Sequence, residues 1–248
     1  MRALLVALRV GPGVGAADGI FEEFVARGSG RQWARWKKRV GRRDGTMRSR
    51  TALPPAAACH AEERHVAHID LGLDETQYPG ISGLMRYRPE TAVALNALAE
   101  ALLHAPHPTL TAGERELIAA YVSGLNDCTF CCSSHSAFAA AQLDGGMPLV
   151  RQVRADLDTA EISAKLRGLL RIAAAVQSGG RNVSGELVDA ARVEGATDLE
   201  IHDTVLIAAA FCMFNRYVDG LGTRLPEDPV AYTETAQRIK VDGYVGSA

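Results

Sequence analysis

At 248 residues, 47% hydrophobic and 23% charged, the chain has the apolar content for one sizeable core and at most a small second unit. Formal net charge is only −2, yet residues 1–50 carry 12 Lys and Arg against 4 Asp and Glu, leaving 15 against 25 in the remainder. A basic arm therefore precedes an acidic body. No apolar run is long enough to cross a bilayer, and five cysteines without regular spacing exclude a secreted disulfide framework, so the expected compartment is the cytoplasm.

Residues 1–67 mix Gly, Arg and Pro without sustained periodicity and read as a disordered or partly helical leader, with short amphipathic pieces near 20–26 and 32–40. Its densest charge is the run Arg31, Arg35, Lys37, Lys38, Arg39, Arg42 and Arg43. No folded recognition motif surrounds this run, which reads as solvated leader rather than as a nucleic-acid contact. Ala3 to Leu8 is apolar like the start of a signal peptide, but Arg9 interrupts it too early. Met47, just after the basic run, offers an alternative start.

From residue 68 to 248 the chain reads as helices with marked ends. Pro89 opens one that runs to about His104, and Pro106 and Pro108 punctuate the exit. Thr111 with Glu114, Asp158 with Glu161 and Thr197 with Glu200 have capping-box spacing at three further helix starts. Gly179 and Gly180 end a long helix that begins near Thr159, and Ser184 caps the next. Nothing alternates as a strand and hairpin would, so the body is expected to be an all-α bundle. An internal helical repeat is suggested by Leu117-Ile118-Ala119-Ala120, five residues and Asn126, echoed by Leu206-Ile207-Ala208-Ala209, five residues and Asn215.

The chemistry concentrates after the first of those asparagines. Gly124, Asn126 and Asp127 should break the preceding helix, with Asn126 or Asp127 capping a new one that carries Cys128, Cys131 and His135. At about 100° per residue, Cys128 and Cys131 project about 60° apart with His135 on the same face. Histidine there can take a thiol proton, and the helix dipole favours thiolate in the first turn, most of all at Cys128. Cys132 shares the neighbourhood and reads as packing or a reserve thiol. Glu116, on the helix before the break, could approach His135 across an antiparallel turn. Cys128, Cys131 and His135 make only three of the four ligands of a structural zinc site, and Cys132 diverges by about 100°, so no metal is assigned. His202, Asn215, Arg216 and Asp219 either line a pocket or pair across helix ends, while Cys59 and Cys212 read as inert.

Glu116, eleven residues, Cys128-Thr129-Phe130-Cys131, three residues and His135 resembles the AhpD-like branch of the carboxymuconolactone decarboxylase family, over roughly residues 69–244. The resemblance implies an AhpD-like all-helical bundle that forms trimers or hexamers and works as an alkylhydroperoxidase or disulfide reductase without a cofactor. Its partners would be a hydroperoxide and a dithiol reductant, with no membrane or nucleic acid involved. It makes Cys131 the peroxidatic thiol activated by His135, Cys128 the resolving thiol and Glu116 the relay carboxylate. One departure is that Thr129 and Phe130 stand where well-known AhpD enzymes carry a second histidine, which shortens the proton relay. The decarboxylating branch lacks the cysteine pair, and a cofactor-free decarboxylase or isomerase using His135 and Glu116 would be its counterpart here; a non-catalytic zinc-binding helical scaffold is the other alternative.

Overall fold

A computed structural model describes residues 67–245, all within one compact unit, Ala61–Ala248. Residues 1–66, which hold the basic run, the short amphipathic pieces, Met47 and Cys59, lie outside the described residues. Among the described residues there is no strand: nine α-helices run as α1 (Ile81–Tyr87), α2 (Pro89–Ala99), α3 (Ala112–Leu125), α4 (Thr129–Ala140), α5 (Gly146–Ala155), α6 (Ala164–Ser178), α7 (Gly185–Val193), α8 (Asp198–Gly220) and α9 (Val230–Asp242). The described residues form an all-α bundle. No described helix is long and apolar enough to cross a membrane.

Local chemistry sets most of the helix ends. Pro89 occupies the first turn of α2, where its missing N–H costs nothing, and the helix continues as a π turn over Glu100–His104 before Ala105 turns extended. Thr111 and Glu114 cap α3 reciprocally, and Thr197 and Glu200 do the same for α8. Ser184 caps α7 through the Leu187 amide.

The start expected at Asp158–Glu161 is displaced. Asp156 accepts from the Asp158 amide and the Thr159 hydroxyl, which holds that segment in a turn, while the Asp158 carboxylate pairs with Arg171. Helix α6 begins instead at Ala164, capped by the Ser163 hydroxyl accepting from Leu166 N–H.

Helix α3 is the hub. Its residues Leu117, Ile118, Ala119, Ala120 and Val122 are all buried, as befits a helix covered by α4, α5, α6 and α8 on different sides. Leu117, Ile118, Ala119 and Val122 join Leu103, Leu170, Ile207, Phe211 and Phe214 in the main core, where truncating one large side chain to Ala costs about 2–5 kcal/mol. Arg115 is buried on the same helix and spends its guanidinium on the Leu102 and Ala105 carbonyls, which the end of the π turn leaves open. The sequence echo is only partly structural. Both α3 and α8 carry a capping box and both asparagines are at the site, but Leu117 is buried whereas Leu206 is exposed.

Candidate active site

Helices α3 and α4 are joined by the break at Asn126 and Asp127. Asp127 adopts φ 57°, a left-handed conformation that Asp tolerates better than most residues, and Cys128 N–H closes the turn on the Ser123 carbonyl. Neither Asn126 nor Asp127 caps α4, contrary to expectation. Asn126 is instead the C-cap of α3 and Cys128 itself is the N-cap of α4, without a side-chain cap bond. Asn126 turns its side chain inward, which removes it from capping: its amide donates to Asn215 Oδ1 at 2.8 Å and its carbonyl accepts from Gln177 at 2.9 Å.

The tight turn folds α4 back on α3 and brings Glu116 to His135. His135 Nδ1 donates to Glu116 Oε2 at 2.6 Å, and Glu116 is only 1% exposed. A carboxylate can only accept, so with Glu116 ionised Nδ1 carries the proton and Nε2 is left as the basic nitrogen. Phe211 and Phe138 stand edge-on to the imidazole at centroid distances of 4.5 and 5.0 Å.

Cys128 and Cys131 are both buried, clustered with Phe130 and Val218. Phe130, the residue between the cysteines, presses on Gly80, where a Cβ would lie 2.1 Å from the ring and φ is +61°; only glycine fits there. The two thiols differ sharply. A hydrogen bond from Cys128, reinforced by the charge of His135 and a bond from Asn215, pulls the Cys131 thiol below its ordinary range despite burial. Cys128 is pushed far above that range by the same hydrogen bond to Cys131, by burial and by the Asp219 carboxylate. Dipole reasoning favoured Cys128 as the more acidic thiol; the N-cap sulfur instead acts as donor to its neighbour. Burial pushes Cys132 up as well, and its sulfur faces Gly124 and Arg154.

Of the second-half candidates, Asn215 and Asp219 reach the cysteines. His202 is largely exposed and pairs with Asp203, and Arg216 bonds back to the Cys212 carbonyl on its own helix. Cys212 is half-buried beside Asn126. Sequence reasoning missed Tyr244, whose hydroxyl donates to Glu116 Oε1 at 2.5 Å. Among the described residues, no three His, Cys, Asp or Glu side chains are grouped to hold a metal ion.

Bundle and cluster together define an AhpD-like, all-helical protein. Residues 89–143, which span α2 to α4 and include Glu116, Cys128, Cys131 and His135, match the carboxymuconolactone decarboxylase family, and the likeness of this segment is to its AhpD-like branch. Among solved structures it is similar to an alkylhydroperoxidase AhpD core, a peroxidase-related protein of Ralstonia eutropha JMP134, at 26% identity and TM-score 0.57, over 64% of this chain and 81% of that one. A peroxidase-related protein of Silicibacter sp. TM1040 shares the fold at 22% identity and TM-score 0.60, over 71% of this chain and 98% of that one. No curated protein matches the chain.

Proposed function

We propose that the protein is a thiol-dependent peroxidase that cycles Cys128 and Cys131 between dithiol and disulfide. The observation that carries this reading is the pairing of a lowered Cys131 thiol with the Glu116–His135 hydrogen bond on the same helix turn. In the first step His135 Nε2 takes the Cys131 proton, and the thiolate attacks one peroxide oxygen. The O–O bond breaks, the alcohol leaves with the proton held by His135, and Cys131 becomes a sulfenic acid. Cys128 sulfur then attacks that sulfur, water departs, and a Cys128–Cys131 disulfide forms. A dithiol reductant restores both thiols by exchange and leaves as its own disulfide.

Glu116 keeps the imidazole in its working tautomer and balances the imidazolium that forms. Asp219, beside Cys128, is placed to accept the proton that the resolving thiol must lose. The family likeness carries the further expectation of a trimeric or hexameric assembly in the cytoplasm; exposed Leu199, Leu206 and Met213 on α8 offer an apolar face for self-association.

Hydroperoxide consumption with a dithiol reductant tests the reading, with free thiols titrated before and after peroxide. Wild type should lose two thiols per chain and regain them on reduction. Full activity in Cys131→Ser would refute the assignment. The match to a decarboxylase family and the intact Glu116–His135 pair also suit acid–base chemistry on a small carboxylated ring, which would survive replacing both cysteines by serine.

A further inference from the structure

Glu116 is buried with one donor on each oxygen: His135 Nδ1 on Oε2 at 2.6 Å and the Tyr244 hydroxyl on Oε1 at 2.5 Å. The Tyr244 ring also lies nearly parallel to the imidazole, at 16° and 6.5 Å between centroids, whereas Phe211 and Phe138 meet it edge to face. We propose that Tyr244 is a positioning residue of the thiol site, whose hydroxyl fixes the Glu116 carboxylate against His135 and whose ring covers the histidine.

The backbone is built for this placement. Tyr244 follows the end of α9, and its N–H donates to Glu100 Oε2 at 2.7 Å, while Glu100 Oε1 accepts from His104 Nδ1 at 2.7 Å. Gly243 makes the approach feasible, because its φ is +68° and a Cβ there would lie 2.4 Å from Glu100 Oε2 and 2.6 Å from His104 Nδ1. The Glu100–His104 pair of the π turn thus clamps the end of α9 over the Glu116–His135 pair. Burial, the Glu116 charge and the hydrogen bond to Glu116 keep the phenol well above its ordinary range, so it remains a donor throughout the neutral region.

The inference rests on Cys131 being an activated thiol. Removing the hydroxyl strips one of two hydrogen bonds from a buried carboxylate and frees it to turn away from His135. A Glu116 no longer held against the ring balances an imidazolium less well, and Cys131 loses part of the positive charge beside it. The other groups acting on these residues stay in place: Arg115 near Glu116, and Cys128, Cys132, Asn215, Asp219 and Tyr232 near Cys131.

The test is the pH dependence of Cys131 alkylation by iodoacetamide in the full chain, read by mass spectrometry on the Cys131 peptide, for wild type, Tyr244→Phe and Gly243→Ala. Both variants are expected to move the Cys131 midpoint upward by about one pH unit, slowing alkylation below the midpoint about tenfold. A merely structural tyrosine would lower the melting temperature and leave the midpoint where wild type has it, which overturns the proposal. An ordinary free-thiol midpoint in wild type overturns this proposal and the peroxidase reading together, whereas a lowered wild-type midpoint unmoved by either variant overturns this one alone.

Discussion

Glu116 and His135 meet at 2.6 Å because the chain reverses at Asn126 and Asp127, laying α4 antiparallel on α3 so that side chains 19 residues apart in sequence face one another. Such a contact, with 1% exposure at the carboxylate, lets the carboxylate fix the orientation of the imidazole.

Glu116→Gln keeps the shape of that side chain and removes its charge. The Cys131 midpoint should rise, with the rate of peroxide reaction at neutral pH falling about tenfold for each unit of rise. His135→Asn should cost about 10²- to 10⁴-fold, the range for a lost proton-transfer group. Stopped-flow single turnover measures both; a fully active Glu116→Gln would detach the carboxylate from the chemistry.

Cys128 affects Cys131 before any disulfide forms, since its S–H bond is the foremost cause of the lowered Cys131 thiol. Cys128→Ala should therefore raise the Cys131 midpoint, while Cys128→Ser, which keeps an O–H donor, should raise it less. Both should still form a Cys131 sulfenic acid that a dimedone-type probe can trap, and both should stop after one turnover. Because the thiolate fraction grows with pH, the acid limb of the wild-type rate should lie below the ordinary free-thiol range and move upward in Cys128→Ala. Equal midpoints in the alanine and serine variants would contradict this donor role.

Glu200 supplies a pH-dependent share of stability. Burial works to raise its carboxyl, but Lys165 Nζ at 2.6 Å and the Thr197 amide at 2.7 Å hold it at about 2. A folded pKa below the unfolded one, roughly 4.3, gives stability that is complete above about pH 5 and disappears as pH falls through about 2. The contribution at neutral pH is on the order of 2–3 kcal/mol. Denaturant unfolding of wild type and Glu200→Gln should show that gap at pH 7 and its narrowing between pH 4.5 and pH 2. A gap independent of pH would place the stabilisation in packing rather than charge.

What the sequence discloses here is what short-range chemistry decides. Thr111 and Glu114, or Thr197 and Glu200, need only three residues of separation to form a cap, and the one-turn spacing of Cys131 and His135 follows from helix geometry alone. Asp158 and Glu161 have the same spacing as the two real capping boxes but form none, because Asp156 takes the Asp158 amide and Gln152 the Glu161 amide. Asn126 looked like a cap and became a core polar residue, since its partners Gln177 and Asn215 lie 51 and 89 residues on. Tyr244 meets Glu116 across 128 residues, and no local pattern announces such a contact.

Asn215 shows how such a distant residue can tune the thiol. It is fully buried on α8, accepts from Asn126 at 2.8 Å, donates to Ser123 Oγ at 3.0 Å and bonds to Cys131 in the sense that favours thiolate. Asn215→Asp preserves the shape and the acceptor for Asn126, and Ser123 can rotate to donate instead of accept. Cys131, however, loses an N–H donor and gains an anionic neighbour, so its midpoint should rise by about a unit or more, with alkylation at pH 7 slowed about tenfold. Asn215→Leu takes the Asn215 acceptor from the Asn126 amide and the Asn215 donor from Ser123 Oγ, and should cost about 1–3 kcal/mol for each group left unsatisfied, read as a lower denaturation midpoint. Thiol titration and unfolding measured on the same preparations separate the two effects: an Asp variant that unfolds earlier but titrates Cys131 as wild type would make Asn215 a packing residue and nothing more.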